Sequence, residues 1–218
     1  LWNNHSTDSG KPTRPGNSGD DKIEFAGDVL PTILRRLAYL APACLLKPVP
    51  AASRRLATLA CDEGSLTARL QAHGRHFAVH VLRQQLAQPC PDERALLGIP
   101  PRQLAQVRDV LLKTDGTPRI FAHSVLARDQ ARGPWQLFSR MGTRPLGAAL
   151  FAHPAIRRQT LHFRCLDARH PLYRAALQAG GSDLEPAPPP LRARRSLFTP
   201  REQPPPVCQV FLPSVFSL

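Results

Sequence analysis

The chain has 218 residues, 42% of them hydrophobic, enough for one domain with a substantial core or two small ones, and too apolar for a chain disordered throughout. Lys and Arg outnumber Asp and Glu by 29 to 16, a formal charge of +13 that attracts anions without choosing among them. No zinc-finger spacing, aromatic-rich RNA-binding strand or basic heptad helix is present, so no nucleic acid is expected as partner. With 24 prolines and only 6% aromatics, ordered elements should alternate with long proline-rich connections. Cys44, Cys61, Cys90, Cys165 and Cys208 are scattered and odd in number, without CxxC spacing, which favours a reducing, cytoplasmic setting. The longest apolar run, Val29 to Leu46, is broken by Arg35-Arg36 and by prolines, so no membrane span or signal peptide is expected.

Residues 1–27 are rich in Gly, Ser, Asn, Asp and Thr and read as a disordered tail. Position 1 is not Met, which suggests a fragment or an uncertain start. In 28–50, Val29, Ile33, Leu37 and Leu40 follow helical spacing until Pro42, giving an N-terminal helix and linker. From Ala52 to His73 the pattern predicts a helix, a break near Gly64, and a second helix capped by Ser65 with Leu66 and Leu70 inward. Arg75 to Leu86 alternates as a strand, with Phe77, Val79 and Val81 on one face. His76 and His80 share its other face, too far apart on a strand for joint ligation, so no metal is expected. Pro89 to Pro101 reads as a loop.

Gln106 to Leu126 predicts a β-hairpin turning at Asp115-Gly116. Arg108 shares a face with Val110 and Leu112, where a core residue would be expected. Burying an unpaired guanidinium costs several kcal/mol or more. Either a protein carboxylate neutralises Arg108, or it awaits an anionic ligand, or it is solvated at an edge. In Gly133 to Phe151, Trp135, Phe138 and Met141 form the apolar side of a short helix, and Pro145-Leu146-Gly147 begins another, a place where backbone amides can meet an anion. Gln159 to Leu166 predicts a strand, Pro171 to Leu177 a short helix, and Gly180 to Pro190 a proline-rich connector. Leu191 to Phe198 and Val207 to Leu212 predict two more strands. Gln209 lies between Val207 and Phe211 on one face, either as a satisfied amide or as a ligand contact.

The segments GSLTARL (64–70), VRDVLL (107–112), GTRPLGAALF (142–151), ARRSLF (193–198) and QVFLP (209–213), in this order and spacing, resemble the chorismate pyruvate-lyase family over residues 51–218. The resemblance implies a single α+β domain: an antiparallel sheet of about six strands, helices packed over it, and flaps enclosing an internal ligand site. It implies a monomer that converts chorismate into 4-hydroxybenzoate and pyruvate, the first committed step towards ubiquinone, without metal or organic cofactor. Arg108 would then bind the ring carboxylate, joined by the backbone amide of Leu146 and the backbone at Leu66. Gln209 stands where the family has a glutamate that meets the ring hydroxyl, and His123 where it usually has arginine. By the same resemblance, a weakened or inactive relative would serve as a binding or sensing module for small aromatic acids.

Overall fold

The central hairpin sets the frame of the molecule. A computed structural model describes residues 64–159, 161–181, 189–199 and 205–217. The expected tail over 1–27, the helix in 28–50 and the first helix after Ala52 lie outside these residues, as does most of the 180–190 connector. Strands β2 (Ala105–Thr114) and β3 (Thr117–Ala127) pair antiparallel around Asp115 (φ 50°) and Gly116 (φ 79°). Two consecutive left-handed residues match the right-handed twist of the flanking strands, and Asp-Gly is the dipeptide that adopts them most readily. Strand β1 (Phe77–Ala87) pairs with β2 and is the sheet's edge among the described residues. Beyond β3 come β7 (Pro206–Phe211), β6 (Leu191–Thr199) and the two-residue β4 (Arg157–Arg158), giving the order β1-β2-β3-β7-β6-β4. Strand β5 (His162–Leu166) also pairs with β6. All pairings are antiparallel, and the sheet has seven strands where about six were expected.

Both faces of the sheet are covered, which explains why β2 and β3 are buried almost throughout. On one face, helix α1 (Leu66–Ala72), N-capped by the Ser65 side chain, places Leu66 and Leu70 on Val110, Leu112, Ile120, Ala122 and Phe211. A 3-10 helix, η2 (Gly133–Arg140), and helix α3 (Leu146–Ala152) bring Trp135, Phe138, Leu146 and Leu150 against Leu126, Phe198 and Val207. The apolar spacing predicted at Trp135, Phe138 and Met141 is therefore present, wound as 3-10 helix.

On the other face, helix α4 (Pro171–Gly180) packs Leu172, Tyr173, Ala176 and Leu177 against Leu111, Phe121, Ala193, Cys208 and Val210. Beside it, helix α2 (Pro91–Leu97) occupies the stretch expected to be a loop. Pro91 opens it, the Glu93 carboxylate accepts from the backbone N–H of Cys90 at 2.9 Å, and Gly98 closes it at φ 60°. Proline at the start, Glu at the third helical position and a left-handed glycine at the end are ordinary helix signals. They lie here on a seven-residue helix whose N-cap is a cysteine, a residue outside the usual capping set.

Strand β1 also departs from simple alternation. Its register against β2 shifts between Val81 and Arg83, leaving Leu82 as a bulge. Val81 pairs with Val110, Arg83 with Asp109 and Gln84 with Arg108. The extra residue moves Gln84, rather than Arg83, onto the same face as Arg108.

Candidate active site

Arg108 is 2% exposed, on the face covered by α1, η2 and α3. Its Nη1 donates to Gln84 Oε1 at 2.5 Å, and its Nη2 donates to the carbonyls of Gly142 at 2.8 Å and Arg144 at 3.3 Å. All three acceptors are neutral, and among the described residues no carboxylate ion-pairs with this guanidinium. Burial pulls its pKa down from the ordinary arginine value. Of the alternatives open in the sequence, a neutralising protein carboxylate and a solvated edge position are both excluded among the described residues. Gln84 completes the support by donating from Nε2 to the carbonyls of Phe138 and Ser139, each at 3.2 Å. It thus ties the end of η2 to the same arginine.

The two carbonyls that hold Arg108 belong to the turn leading into α3, so the guanidinium lies beside the start of that helix. Leu146 is the first residue of α3 and Leu66 the first of α1, and both are buried. The two helices pack on each other, and a Cβ placed on Gly147 would meet Thr67 Oγ1 at 3.7 Å. The structure therefore brings the beginnings of both helices to one region above the sheet.

Gln209 lies on the same face. Register pairs Arg108 with Ser124, Ser124 with Val207, and Ala122 with Gln209. Gln209 is therefore two strands across and two residues along from Arg108, about 12 Å away between backbones from standard sheet spacings. Gln209 is half-buried, and its Oε1 accepts from Arg194 Nε at 2.5 Å. Arg194, on β6 opposite Gln209, is 2% exposed. Gln84 did not stand out in the sequence, and Arg194 entered only within the motif ARRSLF, without a role of its own. For Gln84 the bulge hides the face. For Arg194 a signal existed, because adjacent arginines in a strand must point to opposite faces.

His123 is on the opposite face, away from Arg108. Its Nδ1 lies 2.5 Å from Asp109 Oδ1 and its Nε2 3.1 Å from Glu93 Oε2. Asp109 also pairs with Arg83 at 2.5 Å, and Arg195 reaches Asp92 at 2.7 Å and Glu93 at 3.7 Å. Burial works against an imidazolium, but Glu93 and Asp109 outweigh it and push the His123 pKa up to about 10. Against the cost of their own burial, His123 holds both carboxylates below their usual range, aided by Arg195 at Glu93 and Arg83 at Asp109. Burial pushes the thiols of Cys90 and Cys208 up, away from thiolate character.

Donor atoms of Cys90, Glu93 and His123 fall within 4.8 Å of one another, a spacing that could hold a metal ion. Both ring nitrogens of His123 are already engaged by carboxylates, and Arg195 stands against Glu93. With His123 protonated, Arg83, His123 and Arg195 balance Asp92, Glu93 and Asp109. The group is accounted for as a buried ion network that joins α2 to the sheet. His76 and His80 are not part of it.

A family model described as chorismate lyase matches residues 34–218. A protein of Aromatoleum aromaticum named "Probable chorismate pyruvate-lyase" is 47% identical over 171 residues, 78% of this chain and 91% of that one. Its namesake in Azoarcus sp. BH72 is 46% identical over 178 residues, 80% of this chain and 92% of its own. Among solved structures, the effector domain of PhnF from Mycobacterium smegmatis aligns over 69% of this chain and 90% of its own, at 16% identity and a TM-score of 0.47. The C-terminal domain of a histidine utilization repressor from Pseudomonas syringae aligns over 64% and 93%, at 10% identity and a TM-score of 0.46. The chain belongs to the chorismate lyase family.

Proposed function

We propose that this protein removes pyruvate from chorismate to leave 4-hydroxybenzoate, supplying the first committed step towards ubiquinone. The observation that carries the reading is Arg108, a buried cation held only by neutral acceptors on the face where the site forms. A carboxylate satisfies such a guanidinium in both charge and shape. In this reading Arg108 binds the ring carboxylate, with the backbone amide of Leu146 and the backbone at Leu66 beside it, and Gln209 meets the oxygens at the far end of the ring.

The reaction is an internal exchange of bonds. The C–O bond between ring and enolpyruvyl group breaks, and its electron pair forms the carbonyl of pyruvate. The hydrogen of the adjacent ring carbon passes to the enolpyruvyl methylene, and the bond it leaves becomes the last double bond of the aromatic ring. Atoms and electrons balance without metal, organic cofactor or external base. The protein's part is to hold the reactive conformer and to stabilise charge as it develops. No helix among the described residues is long and apolar enough to cross a membrane. The same proposal has the enzyme working as a cytoplasmic monomer without nucleic acid, and size-exclusion chromatography tests the monomer.

The test of the reaction is chromatographic detection of 4-hydroxybenzoate from chorismate, against no-enzyme and Arg108→Ala controls. Product above both controls is expected. A folded protein that is stabilised by 4-hydroxybenzoate yet forms none would instead be a binding module.

A further inference from the structure

Arg194 and Arg195 are neighbours in sequence with separate duties. Arg195 belongs to the ion network on the far face, with Nη2 2.7 Å from Asp92. Arg194 lies on the substrate face with Nε 2.5 Å from Gln209 Oε1. A guanidinium carries only N–H groups and accepts nothing. The amide oxygen of Gln209 must therefore turn to Arg194, since the opposite orientation would set donor against donor. One N–H of Arg194 is enough for this, whatever its other N–H groups do. Gln209 keeps part of its surface open while Arg194 is closed over, so the amide NH2 is the group that Gln209 has left to offer.

We propose that Arg194 is a positioning residue that makes Gln209 a hydrogen-bond donor to the ether and ring-hydroxyl oxygens of the substrate. This deepens the lyase reading and rests on it. A carboxylate at position 209 could only accept, taking a hydrogen bond from the ring hydroxyl. The oriented amide does the opposite. When the ring–oxygen bond breaks ahead of hydrogen transfer, its electron pair gathers on the departing oxygen, and an N–H aimed there lowers the barrier. Arg194, behind the amide, polarises it further without touching the substrate.

Two readouts test this. Ultraviolet difference titration follows ionisation of the phenol in bound 4-hydroxybenzoate, and steady-state kinetics gives kcat and KM for chorismate. With a donor at position 209, the bound phenol ionises at lower pH than the free compound. Gln209→Glu is expected to move that ionisation above the free value and to lower kcat about 100-fold, the size of effect seen when an oxyanion donor is lost. Arg194→Lys is still donor-only, so it should keep the direction of the phenol shift and most of kcat. Arg194→Gln can both donate and accept, which lets the Gln209 amide turn over, and it should lose both; a melting curve confirms that it folds. A wild type whose bound phenol ionises above the free value, with Gln209→Glu as fast or faster, overturns the donor assignment and leaves the lyase reading standing. A wild type that forms no 4-hydroxybenzoate overturns the lyase reading, while the titration, which needs no turnover, still decides the direction of the hydrogen bond.

Discussion

Arg108 and His123 are each 2% exposed, each carries a cation on the central hairpin, and their surroundings make opposite predictions. Arg108 faces neutral carbonyls, two of them in the exposed turn at Gly142 and Arg144 that water can reach. Arg108→Met should therefore cost less than about 1 kcal/mol of stability, or raise it, because the substitution also removes a buried charge. The same variant should weaken 4-hydroxybenzoate binding about 100-fold or more, by loss of a desolvated charge pair. Calorimetric binding and chemical denaturation of one sample check both. His123→Leu removes the cation that Glu93 and Asp109 share, leaving each only its arginine, Arg195 and Arg83, and should cost about 3–5 kcal/mol. The pH dependence has a definite sign. The folded pKa of His123 is raised from 6.5 to about 10, so its contribution is complete below 6.5 and is lost as pH climbs through about 10. Glu93 and Asp109 are lowered, so theirs is present above the usual carboxylate range and is lost in acid. Melting temperature should fall between pH 7 and 10, and this alkaline slope should vanish in His123→Gln.

At the scale of elements, legibility followed the regularity of the backbone. The hairpin could be read because Asp-Gly marks the turn and period-2 alternation puts Arg108 on the apolar face. Ser65 marked the start of α1, and alternation located Gln209 on the inner face of β7. The reading failed at α2, where a cysteine stands at the N-cap. It could not settle the polar partner of Arg108, since the bulge at Leu82 transfers Gln84 to the inner face and leaves no mark in composition. Gln84→Leu removes the acceptor at Arg108 Nη1 and the donor to Phe138 and Ser139. It should raise KM for chorismate about tenfold with a smaller change in kcat, the value of one or two hydrogen bonds at a charged group. Leu70, fully enclosed between α1 and the hairpin, gives a contrasting outcome. Leu70→Ala should cost about 2–5 kcal/mol, read as a lower denaturation midpoint.

The whole molecule carries a charge of +13, and its substrate, in the proposed reading, carries two carboxylates. A surface of this sign draws such a dianion in, so kcat/KM should fall as salt is raised, mainly through association. Stopped-flow or progress-curve measurements across ionic strength check this, and Arg108→Lys, which alters the pocket without altering net charge, should keep the same slope. Net charge was legible from composition at this scale, though it did not choose among anionic partners. The separation of charge into a balanced network on one face and an unneutralised arginine on the other was not, because only strand pairing decides which side of the sheet each residue joins.

The bulge at Leu82 has a further consequence at the border of the sheet. Among the described residues strand β1 is the outermost strand beside β2, eleven residues long, with Leu82 and Leu86 exposed along it. A straight, apolar border of that length is a template on which a second chain can add a strand. One inserted residue breaks the even run of backbone groups and sharpens the local twist, so a newcomer cannot stay in step along the whole strand. Removing Leu82 would straighten β1 and bring Arg83 opposite Arg108. A single deletion should thus yield a protein that has lost its grip on 4-hydroxybenzoate and that self-associates, two failures that share one cause.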